Sequence, residues 1–208
     1  MARTGLLMLL VSSAALAQEQ ETQVAPAKPF MVSLEAGVHF PQIANPLQTS
    51  LDAVLKVGFG LPFLERRLQV FLDLSYTQPM VTVTGSDARV PTGTFTTTTV
   101  LRDVATTLGL CFFILEPSRV LVPFVSAGAR VHFLHAETTG LAGSSSFGTW
   151  RETDTRFGGV FAAGVGYQLG PGRVLAELTL SVLPVDQRLT GLSNASALSV
   201  LLGYGLFF

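Results

Sequence analysis

The chain has 208 residues, of which 48% are hydrophobic and only 13% charged, with a net charge of −1 and a mean hydropathy of +0.48. Charged residues make up about a quarter of an ordinary globular protein, so this composition argues against a soluble domain with a charged surface. The near-neutral charge gives no reason to expect a nucleic-acid partner, and the single cysteine, Cys111, excludes an internal disulfide framework.

The first residues, "MARTGLLMLLVSSAALAQ", combine a basic start at Arg3, an apolar run from Leu6 and small residues at Ala15 and Ala17. This is the pattern of a secretory signal peptide, residues 1–17, cleaved after Ala17. The alternative, a membrane anchor, fails on length, because an apolar run of about a dozen residues is short of the roughly 20 that span a bilayer. Gln18 follows the cleavage point where a lipoprotein would have cysteine, and residues 18–29 read as a polar leader containing proline. Beyond it, the longest apolar stretches, "VATTLGLCFFIL" and "VLVPFVSAGARV", are again too short for a membrane helix. Only helices and closed barrels satisfy every backbone group in lipid, which leaves a barrel over residues 30–208.

Eight runs of alternating side chains follow in order. In the first, Phe30, Val32, Leu34, Ala36, Val38 and Phe40 share a face opposite Ser33, Glu35, Gly37 and His39. The second sets Leu51, Ala53, Leu55, Val57 and Phe59 against Asp52, Lys56, Gly58 and Gly60, and the third sets Leu68, Val70, Leu72, Leu74 and Tyr76 against Gln69, Phe71, Asp73 and Ser75. The fourth opposes Val104, Leu108, Leu110 and Phe112 to Asp103, Thr107, Gly109 and Cys111. The fifth opposes Leu121, Val125, Ala127, Val131 and Phe133 to Ser126, Gly128, Arg130 and His132. In the sixth, Phe157, Phe161, Val165 and Tyr167 face away from Gly158, Ala162, Gly164 and Gly166; in the seventh, Val174, Ala176, Leu178, Leu180 and Val182 face away from Glu177, Thr179 and Ser181. The eighth is "ASALSVLLGYGLFF", with Leu198, Val200, Leu202, Tyr204, Leu206 and Phe208 on one face.

Connectors alternate in length. "LPFLERR", "EPSR" and "GPGR" are short, whereas residues 41–50, 78–99, 135–155 and 184–194 are longer. Short periplasmic turns and long extracellular loops mark outer-membrane barrels, and an even strand count puts both termini at the short-turn end. Volume decides which face points inward: an eight-stranded barrel has an interior just wide enough for side chains to fill, so the bulky faces must lie outside. Aromatic residues at both strand ends, Phe40, Tyr76, Phe133 and Phe157 at one and Phe30, Phe59, Phe112, Tyr167 and Phe208 at the other, match two interfacial girdles. The expected fold is all-β, an eight-stranded antiparallel up-and-down transmembrane β-barrel.

In this pattern the chain resembles the small eight-stranded outer-membrane proteins of Gram-negative bacteria, of the OmpA and OmpX type. The resemblance covers the whole mature chain and implies residence in the bacterial outer membrane among its lipids and lipopolysaccharide. It also implies that Leu202, Tyr204, Leu206 and Phe208 form the terminal signal read by the barrel-assembly machinery, with periplasmic chaperones as further assembly partners. The peptidoglycan-binding module of full-length OmpA relatives is not expected. No external ligand is indicated.

The inward face carries Glu35, Lys56, Asp73, Arg130 and Glu177 at middle depth, with Asp52, Asp103 and His132 nearer the loops. Buried charges need partners, so these are expected to form a salt-bridged plug, with Lys56 shared by Glu35 and Asp73 and Arg130 reaching Glu177. The alternative is a narrow lumen conducting ions or small solutes. No cofactor, metal or catalytic set is expected: His132 and His135 fall on opposite faces, "GSSSFG" lacks the spacing of a nucleophile elbow and reads as a flexible loop, and "GVGYQLG" leads into a strand rather than a helix. Cys111 reads as a small lumen filler, and the sequon at Asn194 as chance. A lipid A deacylase or palmitoyl transferase remains a further alternative, with His39, His132, His135, Ser144 and Asp154 as candidates near the loop rim. The loop at 78–99 contains "VTVTGSDARVPTGTFTTTTV", whose alternation predicts a β-ribbon rising around Gly85 to Thr92, and Trp150 beside Arg151, Glu152 and Asp154 is expected in a loop, anchoring it at the headgroup level.

Overall fold

The computed structural model describes residues 28–41, 47–88, 93–143, 145–184 and 196–208. The expected signal peptide, nearly all of the leader, Ser144 and Asn194 lie outside the described residues.

Among the described residues nine strands run antiparallel: β1 (Phe30–Pro41), β2 (Ser50–Gly60), β3 (Leu68–Thr77), β4 (Met80–Ser86), β5 (Thr94–Phe113), β6 (Leu121–Ala142), β7 (Ser145–Leu169), β8 (Gly172–Val182) and β9 (Ala197–Phe207). Eight of them close a ring in the order β3-β2-β1-β9-β8-β7-β6-β5, sealed by the β3–β5 pairing. The start of β1 meets the residue after β9 at the short-turn end, where the backbones of Phe30 and Phe208 exchange hydrogen bonds of 3.2 and 2.9 Å. β4 continues β3 after a break at Gln78–Pro79, and both pair with the long β5. Proline cannot donate to a ladder, so the break falls where the strand leaves the ring.

Alternation survives throughout the ring. Leu51 is 80% exposed and Phe157 76%, whereas Glu35 and Thr107 have at most 1% of their surface exposed. A belt of exposed Leu, Val and Phe around a closed wall is a surface for hydrocarbon, because in water so large an apolar patch would be an aggregation site. Girdle residues lie where expected, and Phe30 and Phe59 on adjacent strands place their rings 5.0 Å apart.

The predicted ribbon has its two arms: Met80 to Ser86 pairs with Val100 to Thr94, and Thr82–Thr98 and Thr84–Thr96 hydroxyls meet at 3.2 and 3.4 Å. The expected loop at 135–155 is instead mostly strand. β6 and β7 continue in register up to a turn at Gly143, which takes φ 61°, and the ladder shifts once between Gly140 and Leu141. Within "GSSSFG" the described residues are Gly143 in this turn and Ser145 to Gly148 in β7, so these are not a flexible loop. Alternating threonines and small residues favour a half-exposed pleat, and β4, β5, β6 and β7 rise beyond the ring as one four-stranded sheet.

Two lumenal phenylalanines depend on glycine. Phe71 lies opposite Gly109, where an added Cβ would be 2.5 Å from its ring and 2.6 Å from the carbonyl of Ala127. Phe124 lies opposite Gly164 in the same way, with the ring again at 2.5 Å. The bare glycine backbone supplies the room for each ring, a cross-strand pairing that also covers an otherwise weak strand position.

Candidate functional site in the barrel lumen

The lumen is stacked in three layers. At the turn end lies an apolar cluster of Phe71, Cys111, Phe113, Val122, Phe124 and Leu175; at the loop end lies a second, of Leu47, Leu101, Leu134, Ala136 and Leu183, with Val81 packed against it. Between them are the charges. The alternation in the sequence puts Phe71 on the inward face, and the structure adds the large inward Phe113 and Phe124. Their signal was present, since each sits between outward neighbours in an alternating strand.

Lys56 is central. Its Nζ donates to Glu177 Oε2 at 2.8 Å and lies 3.4 Å from Glu35 Oε1, and no more than 9% of any of the three side chains is exposed. Ser33 donates to Glu35 Oε1 at 2.8 Å and Thr179 to Glu177 Oε1 at 2.9 Å. Arg130 forms a second group: Nε donates to Thr107 Oγ1 at 2.6 Å and Nη2 to Asp73 Oδ2 at 3.4 Å. All five expected lumenal charges thus face inward, but the partners differ from expectation. Lys56 pairs with Glu177 rather than Asp73, and Arg130 pairs with Asp73 rather than Glu177.

Register explains the exchange. Lys56, Asp73, Thr107 and Arg130 are successive cross-strand partners on β2, β3, β5 and β6. Asp73 therefore has a cation on either side, and the guanidinium reaches it over a threonine that accepts its Nε. Lys56 is then the only cation within ion-pair distance of Glu35 and Glu177 among the described residues. Turning Lys56 across the interior leaves every one of the five charges with an opposite neighbour, which a low-dielectric interior favours strongly.

Toward the loop end, Ser199 donates to Asp52 Oδ2 at 2.7 Å and shares a 3.1 Å hydrogen bond with His39 Nδ1. His132 Nδ1 and Asp103 Oδ2 are 2.7 Å apart. Neither group is a nucleophilic relay. A triad places the imidazole between the hydroxyl and the carboxylate, whereas here Ser199 sits in the middle and gives its proton directly to Asp52. The other rim candidates are dispersed: Asp154 accepts from Arg156 at 2.6 Å, and His135 follows His132 on the opposite face, as the odd spacing required. Among the described residues, no group of three or more His, Cys, Asp or Glu side chains could hold a metal.

Trp150 stands in β7, not in a loop. Its cross-strand partner is Thr138, whose hydroxyl is 2.8 Å from that of the buried Thr99. Direct partners share a face, so Trp150 points to the axis side of the projecting sheet rather than toward lipid. It joins Phe147 and Phe95 there, with ring centroids 5.9 and 6.3 Å apart in succession. Leu202, Tyr204, Leu206 and Phe208 all lie on the outer wall, and Tyr204 Oη donates to the carbonyl of Leu169 at 2.7 Å.

No family model and no curated protein matches the sequence. Solved structures do match. A major outer membrane protein from Thermus thermophilus has a TM-score of 0.53 at 11% identity, covering 86% of this chain and 99% of the other. Neisserial surface protein A has a TM-score of 0.49 at 14% identity, covering 88% and 100%. The N-terminal β-barrel domain of Pseudomonas aeruginosa OprF has 0.46 at 20% identity, covering 86% and 97%. Identities this low speak to fold alone, and the first carries that argument. Eight strands closed in register around a packed lumen, an apolar outer wall and this likeness give the chain the fold of the small outer-membrane β-barrel proteins.

Proposed function

We propose that the protein is a non-enzymatic barrel of the bacterial outer membrane, with a plugged lumen, serving envelope structure and interaction through its projecting sheet. The observation that carries this reading is the layering of the lumen. Ion-paired side chains fill the middle and an apolar cluster closes each side. A hydrated ion crossing it would have to separate Lys56 from two carboxylates and pass the clustered side chains of Phe71, Phe113 and Phe124, which cannot replace its hydration shell. Planar-bilayer recording tests this directly. Purified, refolded protein is expected to give no discrete conductance steps; reproducible steps at neutral pH would refute the plug and favour a narrow channel.

Lipids and lipopolysaccharide are the partners of the outer wall in this reading, and the barrel-assembly machinery and periplasmic chaperones those of the nascent chain. The projecting sheet supports the interaction role. Phe147 and Trp150 are each more than 40% exposed on its axis side, and partly exposed aromatics are frequent anchors of recognition.

A further inference from the structure

Above the loop-end girdle, the outer wall of β5, β6 and β7 changes from apolar to cationic. Cross-strand partners share a face, and the rows on this wall run upward in order. Val104, Phe133 and Thr155 form the girdle row; Arg102, His135 and Thr153 form the next; Val100, Glu137 and Arg151 form the one after. Arg102 and Thr153 are exposed and His135 is half-buried. Among the described residues, no hydrogen bond or ion pair engages the side chain of any of these three. One row up, Arg151 Nε donates to Glu137 Oε2 at 3.2 Å, with 66% of the arginine side chain exposed. Glu137 is the one carboxylate in the three rows, so the patch carries a net positive charge.

Depth and chemistry together select the partner. Rows on one face are about 7 Å apart along a strand, so Arg102 and His135 stand one step beyond Phe133, at the edge of the hydrocarbon, where lipid headgroups lie. Neighbouring strands are about 4.8 Å apart, which sets the three free side chains around a spot the size of one tetrahedral anion. A guanidinium grips phosphate with two parallel N–H donors, an imidazole has an N–H to give in either protonation state, and a threonine hydroxyl supplies another donor. A phosphate monoester carries close to two negative charges, which suits two guanidinium groups better than the single charge of a phosphodiester does. Thr155 flanks the spot on β7 with a hydroxyl for a sugar. Lower on the same strands, the bulky belt opens into a groove lined by Leu110, Phe112, Val125, Ala127 and Phe161. Ala127 stands there between its larger cross-strand partners Leu110 and Phe161, leaving a furrow for an acyl chain.

From this the geometry points to a binding site for the phosphate monoester of an outer-leaflet glycolipid of the lipid A type, held by Arg102, His135 and Thr153 with Arg151 above them. The site rests on the placement of lipopolysaccharide around the outer wall, and adds which group is held and by which side chains.

The test uses the full mature chain refolded in neutral detergent, with lipid binding followed by native mass spectrometry. The probes are diphosphorylated lipid A, the same lipid with its phosphates removed, and phosphatidylglycerol. Wild type is expected to bind the diphosphorylated form at least about fivefold more tightly than either of the others, and Arg102→Gln to lose about fivefold of that affinity. Arg119→Gln, which removes an exposed cation at the turn end, should bind as wild type does. An excess of inorganic phosphate should leave the bound lipid in place. Equal binding of phosphorylated and phosphate-free lipid, an equal loss in Arg102→Gln and Arg119→Gln, or no loss in either would overturn the site. Equal affinity for phosphatidylglycerol, or displacement by inorganic phosphate, would overturn the glycolipid as its occupant. Each result is read on protein that migrates faster unheated than boiled, so failure of the site is distinct from failure of the barrel itself. Should Arg102→Gln not fold, the comparison of the three lipids on wild type decides alone.

Discussion

Replacing Lys56 with methionine keeps most of the side-chain volume and deletes one charge. In the wild type that charge lies 2.8 Å from Glu177 and 3.4 Å from Glu35. The variant leaves two carboxylates in an interior closed by apolar layers, with only the Ser33 and Thr179 hydroxyls to face them. Removing one partner of a buried ion pair typically destabilises by about 3 to 5 kcal/mol, and two stranded carboxylates place this case in the upper part of that range. The structure also says which second changes restore the loss. Adding Glu35→Gln and Glu177→Gln removes both stranded charges and should recover most of it. Adding Glu35→Gln and Asp73→Asn should not, because Glu177 stays without a cation and the loss of Asp73, the partner of Arg130 at 3.4 Å, strands the guanidinium as well. Urea titration of the refolded barrel in detergent at pH 7.5, read by circular dichroism and by unheated gel mobility, measures all four proteins. Equal recovery by the two triple variants, or no loss in Lys56→Met, would refute the pairing and indicate a hydrated lumen.

Gly109→Ala should destabilise by about 1 to 3 kcal/mol in the same titration, since its Cβ would meet the Phe71 ring and the immobile carbonyl of Ala127; a neutral result would show that the backbone there yields. Phe208→Asp should leave export intact and strongly reduce folded protein in the outer-membrane fraction, and unchanged levels would remove the assembly role given to the terminal residues. Trp150, the single tryptophan, should be quenched readily by acrylamide and little by brominated lipid. Strong lipid quenching would return it to the headgroup level and overturn its place on the axis side.

Strand periodicity alone determined most of this architecture. With period two, each residue's face follows from its parity, so the outward Leu, Val and Phe, the inward charges and the separation of His132 from His135 could all be read without a structure. Barrel closure followed from the apolar outer face, which only a membrane accommodates without edges. Strand length was harder to read. Segments 135–142 and 145–155 carry no run of alternating apolar residues, only Leu141, Phe147 and Trp150 scattered among polar and small ones, so their strand character shows only in the pairing of β6 with β7. Which charges pair was a matter of the tertiary structure alone. A flat reading of neighbouring strands joins Lys56 to Asp73, which are indeed cross-strand partners. Closing the ring brings β8 within reach of β2, 121 residues away in sequence. In a lumen only a few side chains wide, a long lysine spans the interior as easily as it reaches the next strand. The choice between the two is then made by which carboxylates already hold a cation, and that is a property of the closed barrel rather than of any segment of the chain.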